Sequence, residues 1–220
     1  MEILLQLIDV AMHLDKHLAE LLAQYGAWLF VILFVIIFCE TGLIVTPFLP
    51  GDSMLFLAGA LAASSTGSFD IVTLMVSLSI AAILGDGVNY RVGHWFGPKV
   101  FRWEDSRFFS RAAFDKAHAF YEIHGGKAIV IARFMPFVRT YVPFVAGVAA
   151  MTPARFTFFN VIGGVFWVTS LSLAGYLFGN LPWVKANLSL LMLGIIGLSM
   201  TPMLPVVWLW VRQRMVAKPA

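Results

Sequence analysis

Five long, largely apolar runs, at residues 28–39, 71–83, 129–150, 161–178 and 188–211, leave this chain few ways to fold. Each must satisfy its backbone hydrogen bonds internally if it enters lipid, and a helix does so within a single segment. The period-2 alternation of a membrane barrel is absent, so helices are expected throughout. Composition agrees. Of 220 residues, 60% are hydrophobic and 12% charged, and the mean hydropathy of +0.86 lies well outside the balance of a soluble domain. The fold class expected is an all-α polytopic membrane protein.

The first 25 residues lack the basic start and small-residue cleavage site of a signal peptide. Their apolar positions recur every three or four residues, with Asp9, His13, Lys16, His17 and Glu20 between them. That pattern predicts an amphipathic interfacial helix over 1–25, a first membrane span being the alternative. The single cysteine, Cys39, lies in an apolar run, and the five histidines show no ligand spacing. Neither an intramolecular disulfide nor a metal site is expected, and no cofactor.

Basic residues assign sidedness. Lys99, Arg102, Arg107, Arg111, Lys116 and Lys127 cluster in one segment, and Arg212, Arg214 and Lys218 in the tail, whereas only Lys16 and Arg91 precede Lys99. Both basic regions are therefore expected in the cytoplasm and the N-terminal helix outside. The aromatic residues interleaved with the charges of 98–124 predict a helix on the bilayer surface, with a solvated linker as the alternative.

Two stretches of the chain echo each other. PFLPGDSMLFLAGALA begins at Pro47 and PFVRTYVPFVAGVAA at Pro136. They align through Pro-Phe and then Ala-Gly, with one residue of slip, and each leads into an apolar segment ending in Gly-x-x-Phe-Gly (GHWFG at 93–97, GYLFG at 175–179). Combined with sidedness, this predicts an inverted repeat. A re-entrant hairpin over 26–63 leads to a transmembrane helix over 70–97 and the cytoplasmic amphipathic helix over 98–124. A second re-entrant hairpin over 127–151, entering from the other face, leads to a transmembrane helix over 155–180. A C-terminal transmembrane helix over 187–212 and a basic cytoplasmic tail over 212–220 follow. Full spans kinked at proline are the competing topology.

Ionisable residues inside a membrane are costly and face protein or water. The first hairpin carries Glu40 and Asp52, the second Arg133 and Arg139. On an unbroken helix the two arginines would point about 120° apart, but the break offered by Pro136, with Pro143 beyond, lets both guanidinium groups converge. Such a pair suits a phosphate or carboxylate, because the planar fork donates bidentate, charge-assisted bonds and stays charged. Arg133 and Arg139 are thus the candidate substrate-binding residues and Glu40 and Asp52 the candidate proton-coupling residues; a purely structural salt bridge is the alternative. Pro47, Pro50, Gly51 and Gly147 support the turns and packing. Asp86, Asn89 and Arg91 form a second polar cluster, in which Arg91 either joins the site or snorkels. Asn160 and Trp167 lie on the later span, with Trp167 read as packing.

The ordered motifs FCETG around Glu40, PFLPGD at 47–52, GDGVNYRVGHWFG at 85–97, RFMPFVRTYVPFVAG at 133–147, MTPARFTFFNVIGGVFW at 151–167 and GYLFG at 175–179 make the chain resemble the DedA family. These bacterial inner-membrane proteins share their core domain with the eukaryotic SNARE-associated, or VTT, proteins, and the resemblance covers roughly residues 26–180. It implies translocation of lipids across the bilayer, in bacteria notably undecaprenyl phosphate, and links to phospholipid scrambling and proton-dependent envelope homeostasis. The family's functional acids correspond to Glu40 and Asp52, and its functional arginines to Arg133 and Arg139. Membrane lipids, protons and a homo-oligomeric copy are the partners this allows, with no nucleic acid.

A proton-coupled transporter of a small soluble solute uses much the same architecture and remains the alternative. An enzyme is disfavoured. The apolar core holds no Ser/His/Asp arrangement or His/Asp metal cluster from which to nominate a nucleophile and general acid, so no catalytic residue is expected.

Overall fold

The computed structural model describes residues 26, 28–42, 51–65, 69–97, 99, 111–135 and 138–186. The expected N-terminal helix, Pro47, Pro50, Pro136 and the expected span 187–212 lie outside the described residues. Eight helices run through the described part: α1 (Trp28–Gly42), α2 (Gly51–Ser64), α3 (Ile71–Phe96), α4 (Arg111–His124), α5 (Lys127–Ala132), α6 (Val138–Val148), α7 (Pro153–Phe178) and the single turn α8 (Pro182–Ala186). No strand occurs among the described residues.

Local signals explain where the long helices begin. Asp70 precedes α3 in extended conformation, and its carboxylate accepts from the Thr73 N–H at 2.8 Å and the Thr73 hydroxyl at 3.0 Å, satisfying a donor that the helix start leaves open. Thr152 precedes α7 in extended conformation, with Pro153 in the first turn, where its missing N–H is not needed. Each of these helices has 26 residues and is apolar enough to cross a membrane; at the helical rise that is about 39 Å. Helices α1 and α2, at 15 and 14 residues, are too short to do so alone. The chain leaves α6 through a left-handed residue, Ala150 (φ 52°). The Ala150 and Met151 N–H groups return to the Gly147 and Ala146 carbonyls, which closes the helix end. The Tyr90 hydroxyl of α3 donates to the Met151 carbonyl and ties this turn down.

The helices pack by exchange. Helix α1 packs on α3 and α5 on α7, each on the long helix that follows it, while α2 packs on α7 and α6 on α3. Helices α3 and α7 also pack on each other. The matched glycines of the sequence are the contact points. A Cβ on Gly59 of α2 would overlap the Ser172 carbonyl of α7, and one on Gly175 of α7 the Phe56 carbonyl of α2. In the same way Gly147 of α6 lies on the Tyr90 carbonyl of α3, and Gly93 of α3 on the Phe144 carbonyl of α6. Small residues allow backbones to approach this closely.

Two apolar clusters result. One joins α1, α2 and the first half of α3 to Trp167 and Val168 of α7; the other joins Tyr90 of α3 and Phe156 of α7 to α5 and α6. The outward face of α3 carries Val72, Val76, Ile80, Leu84 and Val88, exposed at every fourth position. With Phe158, Ile162, Phe166 and Leu177 on α7 it makes an apolar outer surface suited to lipid.

Candidate functional site

Between the two clusters, midway along α3 and α7, the polar side chains meet. Each short-helix pair presents a charge on either side of its break: Glu40 in the last turn of α1 and Asp52 in the first turn of α2, Arg133 just after α5 and Arg139 at the start of α6. Opposite charges thus approach from the two pairs.

Arg139 takes both acids of the first pair. Its Nη2 donates to Glu40 and its Nη1 to Asp52 Oδ1 at 2.7 Å. Glu40 is 2% exposed and its carboxylate lies against Gly51, where a Cβ would overlap it. Gly51 is the first residue of α2, and its missing side chain makes room for Glu40. The amide N–H groups of that helix start favour a carboxylate there.

Arg133 has a different set of partners. It is 4% exposed, and its Nη2 donates to Asp86 of α3 and to Asn160 Oδ1 of α7 at 2.6 Å. Asn160 is itself oriented by a 2.9 Å bond from its Nδ2 to the Ile83 carbonyl. The two arginines therefore do not share the acids of the first pair, and Asp86 of the second polar cluster is a full member of the site. Asn89, one turn on, is completely buried and donates to the Thr140 carbonyl at 2.7 Å and the Thr41 carbonyl at 3.4 Å. It fastens the helix turns that carry Arg139 and Glu40 to α3. Arg91 is exposed on α3, apart from these residues. Pro143 and Gly147 are buried in α6. Pro143 has no N–H to return to the Arg139 carbonyl four residues earlier, so α6 lacks that bond.

Trp167, read from the sequence as packing, is also a polar partner. Its indole N–H donates to Asp52 Oδ1 at 2.9 Å. Its ring lies 5.3 Å from the Arg139 guanidinium carbon and 5.9 Å from that of Arg133, within cation–π range of both. The indole is thus the wall common to the two guanidinium groups. Trp167→Phe keeps that wall but removes the donor to Asp52. The expected result is a loss of about 1 kcal/mol, read as a lower melting midpoint in detergent; an unchanged midpoint would show that the N–H contributes nothing.

Glu40, Thr41, Asp86, Arg133, Arg139, Thr140 and Trp167 line a small cavity of about 10 Å³, room for about one water molecule. In this state the arginines are neutralised by protein carboxylates. An acid midway along an apolar helix needs a cation, so the Asp86–Arg133 pair had a usable signal in the sequence. The sequence placed Asp86 with Asn89 on one helix face but did not say which cation it meets.

Residues 49–177 match the VTT domain family. The chain is 53% identical over 202 residues to Protein DedA of Escherichia coli strain K12, covering 92% of each chain. It is 43% identical to an uncharacterized membrane protein of Mycobacterium leprae, covering 79% of this chain and 77% of that one. With the inner membrane protein YqjA of Escherichia coli strain K12 the identity is 38%, over 83% of this chain and 81% of the other. No solved structure matches.

Proposed function

The chain belongs to the DedA family of VTT-domain membrane proteins, and on that premise we propose that it translocates an anionic lipid phosphate of the undecaprenyl phosphate class across the bacterial inner membrane, coupled to the proton gradient. The observation that carries this reading is a buried guanidinium group, Arg133, one residue away from an apolar outer surface, with the partly buried Arg139 beside it across Trp167. Buried Arg133 is followed by Phe134 and Met135, 47% and 37% exposed, and buried Trp167 is preceded by Phe166, 58% exposed. The Phe134 and Phe166 rings meet edge-on with centroids 5.5 Å apart. If this wall parts, a phosphate head reaches the arginine forks while its tail stays among lipid-facing side chains. A site for a soluble solute needs no such outlet.

We read α1–α2 and α5–α6 as re-entrant hairpins entering from opposite faces, related by an inverted repeat with α3 and α7. The exchanged packing of α2 on α7 and α6 on α3 supports this, as does the recurrence of the matched glycines at equivalent contacts. Alternating access would then open one hairpin seam or the other around a fixed central site. The basic tail is assigned to the cytoplasm. Protonation of Glu40 or Asp52 weakens the hold on Arg139 and lets the phosphate replace a carboxylate, and its loss on the other side returns the site to rest. Binding must stay loose enough for release.

The test is reconstitution in liposomes with a fluorescent polyprenyl phosphate. Wild type is expected to move the probe across the bilayer faster than empty liposomes, and Glu40→Gln and Asp52→Asn to lose the response to an imposed pH gradient. Folded wild-type protein that moves the probe no faster than lipid alone would sink the reading. Uptake of small soluble anions without probe movement would favour a solute transporter.

A further inference from the structure

The charge count of the site, resting on the translocase reading, points to an additional proton-carrying acid. Two guanidinium groups, Arg133 and Arg139, face three carboxylates, Glu40, Asp52 and Asp86. With all ionised, the site carries one net negative charge. An incoming phosphate adds at least one more, and like charges at such distances repel strongly where water is excluded. A neutral complex with a monoanion needs two of the three carboxylates to take up protons.

Protonation of Glu40 or Asp52 at Arg139 accounts for one. Arg133 has Asp86 as its carboxylate partner, the other acceptor being the neutral amide of Asn160. Its Nε has no acceptor among the described residues, so it has a donor to spare. Of the three carboxylates, Glu40 and Asp86 line the cavity, one beside each arginine, and Asp52 does not. The charged groups that line the cavity with Asp86 are Arg133 beyond α5, Arg139 from α6 and Glu40 from α1; Asp52 of α2 reaches only Arg139 among these, and α7 contributes the uncharged Asn160, on Arg133, and Trp167. We propose that Asp86 is the second proton acceptor of the site, and that its protonation frees Arg133 for the phosphate, so that loading one monoanion takes up two protons. Asn160, anchored on the Ile83 carbonyl, holds the guanidinium in place when Asp86 lets go.

Proton uptake per bound anion, measured in weakly buffered detergent solution with a short-chain prenyl phosphate and separately with inorganic phosphate, tests this. Asp86→Asn should take up one proton fewer per anion than wild type, whichever probe binds, and Asp86→Glu should restore it. The ligand's own protonation cancels in that difference. Equal proton counts in wild type and Asp86→Asn, or weaker binding by Asp86→Asn at every pH with an unchanged count, would assign Asp86 a structural role and overturn the proposal. Should Asp86→Asn fail to fold, the infrared band of protonated carboxyl that wild type gains on binding is expected to shift in Asp86→Glu, and an unshifted band overturns it. Which probe binds decides between a lipid head and a free anion. Wild type binding neither probe overturns the translocase reading itself, and this proposal with it.

Discussion

Arg139→Ala is expected to lower translocation of a polyprenyl phosphate to the rate of protein-free liposomes, and to destabilise the fold as well. The substitution leaves Glu40 and Asp52 facing one another with no cation between them. Removing one partner of a buried ion pair costs about 3–5 kcal/mol, so loss of transport alone would not separate a substrate contact from a structural one. The combined variant Arg139→Ala, Glu40→Gln, Asp52→Asn makes the separation. It removes the orphaned charges, and its melting midpoint should recover toward wild type while translocation stays at the empty-liposome rate. Recovery of both would make the arginine a structural counter-ion. Arg139→Lys is expected to fall between, since an ammonium is a point charge that cannot match the planar fork reaching both carboxylates.

Gly93→Val should be strongly destabilising. A Cβ at Gly93 would overlap the Phe144 carbonyl of α6, a backbone atom that cannot rotate away. Overpacking of this kind typically costs about 1–3 kcal/mol when side chains can adjust, and more when they cannot. Because α6 also carries Arg139, pushing it off α3 should disturb the Arg139–Glu40 contact together with the fold. Gly87→Ala on the same helix is the control, since nothing lies within 4 Å of a Cβ there. Its midpoint is expected to stay level or rise by the equivalent of about 0.5–1 kcal/mol, the helical preference of alanine over glycine. Thermal unfolding of both variants in one detergent reads the difference; equal midpoints would remove the seam from the account of stability.

Much of the site was legible because buried charge is rare in this chain. Glu40, Asp52, Arg133 and Arg139 stand out against apolar neighbours, and the prolines beside them explain how short helices can end near one another. The glycines were legible too, since Ala-Gly and Gly-x-x-Phe-Gly recur in order and fall on equivalent carbonyl contacts. Asp86 was visible, but its arginine partner was not. On a helix it shares a face with Asn89, and both turn inward, whereas Arg91 lies on the exposed side. The hydrogen bond of Trp167 was hidden for another reason. An indole in an apolar run looks the same whether its N–H meets a carboxylate or a carbonyl, and what it meets is supplied by Asp52, 115 residues away in the chain.

By itself the sequence determined the class of the protein, its helical character, the breaks that interrupt the apolar runs and the set of charges available to a central site. Hydropathy, proline and the rarity of buried ions are local properties that need no knowledge of neighbours. Only the tertiary structure decided which charge meets which. Pairing Arg139 with Glu40 and Asp52, and Arg133 with Asp86 and Asn160, depends on the rotation of each short helix about its axis and on how closely it approaches α3 and α7. Those quantities are set by glycine contacts between segments far apart in the chain, where a shift of an ångström exchanges one hydrogen-bond partner for another.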